Sequence, residues 1–230
     1  MKRISTGIAL TLLLCAMPSP AQEKKLTAFA SDLLPLKVGN SWTYLGNDGK
    51  ERVSVHVEKQ VGVKRRVKAG IGDKEVLIEG FVLRTKNGDK SLQESLFIAD
   101  DGIYRFTSAG KEISPPIRIL KLPPAKGDTW SCDSLTETTT LKGDFVVDQA
   151  MVTLPGRGET LAWVSSTKDF YLGEEKLEAS YYFVPGVGIA KQHVKIGRFD
   201  LKLSLIESKI APGGAIDIPQ LPLVPAPKAP

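Results

Sequence analysis

The sequence predicts an all-β protein, an antiparallel curved sheet, sandwich or (half-)barrel made from two related meanders, and three observations lead there. A phrase is stated twice: Leu34-Pro35-Leu36-Lys37-Val38-Gly39-Asn40-Ser41-Trp42-Thr43-Tyr44 returns as Leu122-Pro123-Pro124-Ala125-Lys126-Gly127-Asp128-Thr129-Trp130-Ser131-Cys132. A second echo follows in the same order, Phe97-Ile98 with Gly102-Ile103-Tyr104-Arg105 answered by Phe183-Val184 with Gly188-Ile189-Ala190-Lys191. Ordered self-similarity of this kind is how a repeated architecture shows itself in sequence. Apolar residues also alternate with polar ones, as in Val53, Val55 and Val57 or Leu201, Leu203 and Leu205, the period-two mark of a strand with one buried face. Turn chemistry separates the runs: Asn47-Asp48-Gly49, Asn87-Gly88-Asp89, Asp100-Asp101-Gly102, Lys142-Gly143-Asp144 and Gly156-Arg157-Gly158.

Taken from the start, residues 1–21 read as a signal peptide: Lys2 and Arg3, an apolar run over Ile8 to Met17, and a small-residue exit at Ser19-Pro20-Ala21, with cleavage before Gln22. The apolar run is shorter than the roughly 20 residues a spanning helix needs. Cys15 follows Leu12, Leu13 and Leu14, a poor context for a lipid-anchored cysteine. Residues 22–33 form a linker with helical potential around Leu26 to Leu34. A single β domain spans 34–210, with halves at 34–113 and 122–209 sharing one core and a short joint between them. Val76-Leu77-Ile78 with Phe81-Val82-Leu83, and Tyr181 to Val184, are apolar on both faces and read as central strands. The tail, 211–230, is rich in proline, which lacks an amide donor, and reads as an extended spacer with Ile216, Ile218, Leu221, Leu223 and Val224 available for docking.

Composition narrows the function classes. The net charge of +5 falls to +3 when Lys2 and Arg3 leave with the signal, and Lys64-Arg65-Arg66 is the densest basic run. That is too little for a nucleic-acid surface, which needs a basic face with aromatic stacking partners. Loss of Cys15 leaves Cys132 alone, so no intramolecular disulfide forms, and Cys132 takes the slot of Tyr44 as an apolar core residue.

Catalytic chemistry finds little support. His56 and His193 are the two histidines, both on polar strand faces, and no H-E-x-x-H or paired-cysteine spacing predicts a metal. No G-x-S-x-G elbow occurs, so a hydrolase would need His56 or His193 to meet a nucleophile and a carboxylate in space. Asp100-Asp101 and Glu174-Glu175 are neighbours that point to opposite faces and sit in turn sequences, so neither is a glycosidase pair. Gly186-Val187-Gly188 lacks the third glycine and following helix of a dinucleotide loop, and no loop has calcium-ligand spacing. Trp42 and Trp130 are repeat-related core anchors, whereas Trp163 has no counterpart and is the candidate ligand-binding residue.

These phrases give the chain a resemblance to a diffuse group of bacterial exported proteins and lipoproteins of uncharacterised function. Members open on "G-N-x-W-x-Y", here Gly39 to Tyr44, and carry "L-P-x-x-x-G-D-x-W", here Leu122 to Trp130. A valine and proline element follows, here Val152 to Gly156, and the close is "Y-x-x-x-G-V-G-x-x-K", here Tyr182 to Lys191. This chain departs in the third element, where Arg157 and Gly158 replace a small residue and an aromatic. The resemblance implies an antiparallel β protein of the cell envelope or exterior and supplies no catalytic residues.

The expectation is therefore a non-enzymatic periplasmic or secreted β protein that takes no cofactor and binds an apolar small molecule, such as a lipid or lipoprotein, or a protein partner. An open apolar concavity not filled by the protein's own side chains would support the lipid version, and a fully packed interior would sink it. The alternative is a hydrolase with a non-sequential histidine site.

Overall fold

The computed structural model describes residues 31–68 and 73–211. The expected signal peptide at 1–21, Cys15 and the proline-rich tail beyond Ala211 lie outside the described residues. Strands β1 (Ser41–Leu45), β2 (Arg52–Lys68), β3 (Asp73–Asn87), β4 (Lys90–Ala99), β5 (Gly102–Ser108) and β6 (Lys111–Lys121) follow the first tryptophan phrase. The second opens β7 (Thr129–Thr136), followed by β8 (Thr139–Leu154), β9 (Gly158–Leu172), β10 (Glu175–Val184), β11 (Gly188–Ile196) and β12 (Phe199–Lys209). Each strand pairs antiparallel with the next, and β1 pairs β12, so the sheet closes into a barrel. Closure removes the free edges that two separate half-sheets would expose.

The two phrases make matching backbone bonds. Gly39 N–H donates to Val57 O at 3.0 Å and Val57 N–H to Asn40 O at 2.9 Å; Gly127 donates to Val147 O at 2.8 Å and Val147 to Asp128 O at 2.9 Å. Each tryptophan then reaches backbone beyond its own run of six, Trp42 the turn between β10 and β11 and Trp130 the strand β6. Trp42 Nε1 donates to Val187 O at 2.6 Å and Trp130 Nε1 to Arg118 O at 2.9 Å. Gly188 explains why a glycine is needed there: its φ is +97°, and a Cβ would sit 3.2 Å from Trp42 Nε1.

The two seams that join the runs are unequal. β1 and β12 are in register from Ser41↔Lys209 to Leu45↔Ser204, whereas β6 and β7 share only Ile113↔Thr136 and Ser114↔Leu135. The ladder stops where Pro115 and Pro116 begin, because proline has no N–H to offer a neighbour. The stretch 113–121, which the sequence presents as a joint, is thus part of a wall strand. Amides of Thr129–Ser134 that face β6 are expected to exchange with solvent at least tenfold faster than those of Ser41–Leu45. Equal protection at the two seams in a hydrogen-exchange experiment would contradict this.

One hairpin outgrows the wall. β2 pairs β1 only over Arg52–His56 and β3 pairs β4 only over Gly80–Asn87, so the rest of both strands continues as a two-stranded arm. This is why Leu77, part of a run that reads as a central strand, is 73% exposed. A lone two-stranded ribbon is marginal. The arm is held by its root: Val63 packs beside Gly80 and Phe106, and the Arg65 guanidinium lies 4.7 Å above the Tyr104 ring. Arg65 Nη2 also donates to both Asp101 oxygens, at 2.9 and 3.1 Å. Phe97 and Tyr104, stacked at 4.9 Å, form this outer cluster on the face opposite Leu96 and Ile103.

The connections divide between two ends. Those at 46–51, 88–89, 109–110, 137–138, 173–174 and 197–198 share one end; 100–101, 122–128, 155–157 and 185–187 share the other. The second end is capped by a short helical turn at 31–33 and the strand-free stretch after it, with Leu33, Leu34 and Leu36 buried. Asp32 O accepts from Gly186 N–H at 2.9 Å and fastens the cap. Cys132 is buried, and burial pushes its thiol above the ordinary range.

Candidate functional site

The uncapped end is a mouth whose inner wall along β10, β11 and β12 is apolar toward the rim, beyond Gln192. Register places Tyr181, Gln192 and Leu203 in one inward row across β10, β11 and β12, then Ala179, Val194 and Leu201, then Leu177, Ile196 and Phe199. Burial falls outward along these rows. Tyr181 and Leu203 are buried, Val194, Leu201, Leu177 and Ile196 are half-buried, and Phe199 is 56% exposed. On β4, Leu92 shares the inward side of Glu94 and buried Leu96 and is 59% exposed. An apolar stripe that ends in water at a rim is an unusual use of inward positions, since such residues ordinarily end in a packed core.

Below the mouth the barrel is filled. Trp130 stacks on Phe145 at 5.3 Å, Phe145 meets Phe170 edge-on, and Phe183, Ile119 and Leu120 are buried around them. The open apolar concavity that the lipid version needs is therefore not found in the barrel interior, which the protein's own side chains fill, as in small barrels whose diameter leaves room only for packing. Trp163 is part of that filling: it pairs with Phe183 and Gln149 and packs against the core, away from the mouth rows.

At the floor of the mouth a polar bridge crosses the lumen. Arg105 on β5 donates from Nη1 to the Tyr181 hydroxyl on β10 at 3.1 Å, with its guanidinium 5.4 Å from the Tyr181 ring. Glu94 Oε2 lies 2.9 Å from Arg105 Nε, yet that buried N–H finds no aligned acceptor. Burial works against the Arg105 cation, but Glu94 and Tyr181 outweigh it and hold its pKa above the ordinary value. Tyr44, whose hydroxyl donates to Ile189 O at 2.8 Å, is pushed up by burial and then by the Glu94 charge. The Glu94 and Arg105 side chains remain 27% and 17% exposed, so solvent reaches the bridge.

The outer face of the same strands holds the histidine that a hydrolase would need. His193 Nε2 is 2.8 Å from Asp200 Oδ1, and Ser180 is its cross-strand partner. They border an open depression of about 340 Å³ that also includes Thr167, Lys168, Asp169 and Lys176. The depression exists because β9 and β10 lose register between Lys176 and Ser180, where Thr167 Oγ1 accepts from Ala179 N–H at 2.8 Å and donates to Leu177 O at 3.1 Å. The constellation is not wired for nucleophilic attack. Ser180 Oγ pairs with Ser166 Oγ at 2.8 Å, and Asp200 is 40% exposed where an orienting acid is buried. His56 is exposed on the outer side of β2.

The glycines at 186–188 form the turn that receives Trp42. Asp101 belongs to the Arg65 cluster; burial raises its carboxyl, but the Tyr104 hydroxyl and Arg65 outweigh that and hold it below the usual range. Among the described residues no group of three His, Cys, Asp or Glu could hold a metal, and no helix is long and apolar enough to cross a membrane. Sequence reasoning missed Glu94, Arg105 and Tyr181 as a unit, because the bridge joins residues 76 apart in sequence.

No protein-family model and no curated protein matches the sequence. Two solved structures align with the chain over about three quarters of its length. A candidate lipoprotein from Parabacteroides distasonis aligns at a TM-score of 0.43 and 10% identity, over 77% of this chain and 98% of its own. A candidate exported protein with a YmcC-like fold from Bacteroides fragilis aligns at a TM-score of 0.39 and 12% identity, over 75% of this chain and 96% of its own.

Proposed function

We propose that the protein is an exported, non-enzymatic β-barrel that binds the apolar part of a ligand at its mouth. The observation that carries this reading is the row Leu177, Ile196 and Phe199, which continues the inward apolar face into solvent. Burying one such side chain contributes roughly 1.5–3 kcal/mol, so a ligand covering the rim has a strong driving force available. The export assignment rests on the charged, apolar and small-residue order of residues 1–21.

The mature chain, 22–230, is expected to bind the apolar dye N-phenyl-1-naphthylamine with saturable enhancement of fluorescence. Phe199→Glu and Leu201→Glu should each weaken that binding at least fivefold, while Phe199→Glu, at an exposed position, changes stability by no more than about 0.5 kcal/mol. Saturable binding that is indifferent to both substitutions would refute the mouth as the site.

A further inference from the structure

The floor of the mouth carries unspent hydrogen-bond donors. The Tyr181 hydroxyl accepts from Arg105 but, among the described residues, donates to no acceptor, and Tyr181 is only 4% exposed. Arg105 Nε–H, held beside Glu94, also lacks an aligned acceptor. A phenol has one proton to give and a guanidinium five, and the Glu94 carboxylate beside Arg105 is not a hydrogen-bond partner of the Tyr181 hydroxyl among the described residues. A buried donor left unmatched costs free energy, so this floor favours an incoming oxygen acceptor over a purely apolar group.

Charge further limits the acceptor. Glu94 already neutralises Arg105 across 2.9 Å, so a carboxylate or phosphate would have to compete with a fixed anion for the same cation. A neutral carbonyl meets no such rival. From the Tyr181 row to the Phe199 row is two two-residue steps along a strand, roughly 13 Å, and every step offers an apolar side chain: Val194 and Leu201, then Leu177, Ile196 and Phe199.

We infer that the mouth takes an acyl group of medium length, with the ester or amide carbonyl accepting from Tyr181 and Arg105 and the chain lying outward along Val194, Leu201 and Phe199. Tyr181 is thereby the residue that sets preference for an acylated ligand over a plain hydrocarbon. This rests on the mouth being the binding site. No bond is made or broken in the ligand.

The test uses two probes that differ in one group, 1-dodecanoylglycerol and 1-O-dodecylglycerol, each below its micelle-forming concentration and each displacing N-phenyl-1-naphthylamine from the mature chain. The ester is expected to bind about tenfold more tightly than the ether, the value of one or two net hydrogen bonds. Tyr181→Phe, which keeps the ring and its packing, should erase most of that preference, the ester losing more affinity than the ether. Equal binding of ester and ether by the native chain overturns the acyl inference while leaving the mouth intact. An ester preference that survives in Tyr181→Phe overturns the role given to Tyr181. If the dye binds but neither glycerol compound displaces it, the acyl inference falls; if the dye does not bind at all, the mouth reading falls with it.

Discussion

Trp42→Ala is expected to lower the unfolding free energy by about 3–5 kcal/mol, the usual cost of deleting a buried tryptophan. Trp42 is 2% exposed, and its indole lies over Gly188 with Leu34 beside it. The loss combines transfer, cavity and polar parts, because Val187 O gives up its side-chain donor when the indole goes. Trp42→Phe separates these by retaining a ring without the N–H, and should cost less than the alanine change. Urea unfolding of the three proteins measures both steps. A loss below 1 kcal/mol for Trp42→Ala would mean that the first phrase does not anchor the barrel.

The second large effect concerns the bridge across the lumen. Removing either partner alone, as in Glu94→Leu or Arg105→Met, is expected to cost about 2–4 kcal/mol, somewhat below a fully buried pair because both side chains keep contact with water. The double variant should recover much of that, since two apolar side chains no longer leave an unpaired charge in the interior. Additive losses in the two single variants would show that Glu94 and Arg105 act independently. Loss of Arg105 also removes its hydrogen bond to the Tyr181 hydroxyl, which joins β5 to β10, so the double variant should bind the apolar dye with altered affinity even where stability returns.

What the sequence shows and hides follows from how local each cause is. The strands were legible because alternation is local: Val53 and Val57, Leu203 and Leu205 are buried, and their neighbours are not. The turns at 48–49, 88–89, 101–102 and 156–158 were legible for the same reason, and glycines there take positive φ at Gly49, Gly88, Gly156 and Gly158. Closure was not, since pairing β1 with β12 depends on the accumulated twist and tilt of every strand between. The run Val76-Leu77-Ile78 read as central because its apolar content is that of a covered strand; Leu77 is exposed and Val76 and Ile78 only half-buried because β1 and β4 end before reaching them. Arg105 enters the sequence reading only as the last residue of the repeated Gly102-Ile103-Tyr104-Arg105 phrase. A bulge between Ser95 and Leu96 sets it opposite Leu96 on the inner face, and that irregularity has no local signature.

The position of the chain's ends bears on how the mouth is presented. Ala211 N–H donates to Asn40 Oδ1 at 2.9 Å, so the exit of β12 lies beside the entry to β1. Both are at the capped end, with the open rim at the far end of the strands. On the proposed reading, the points where the described chain enters and leaves the barrel and the point where a ligand would enter therefore lie at opposite ends of it.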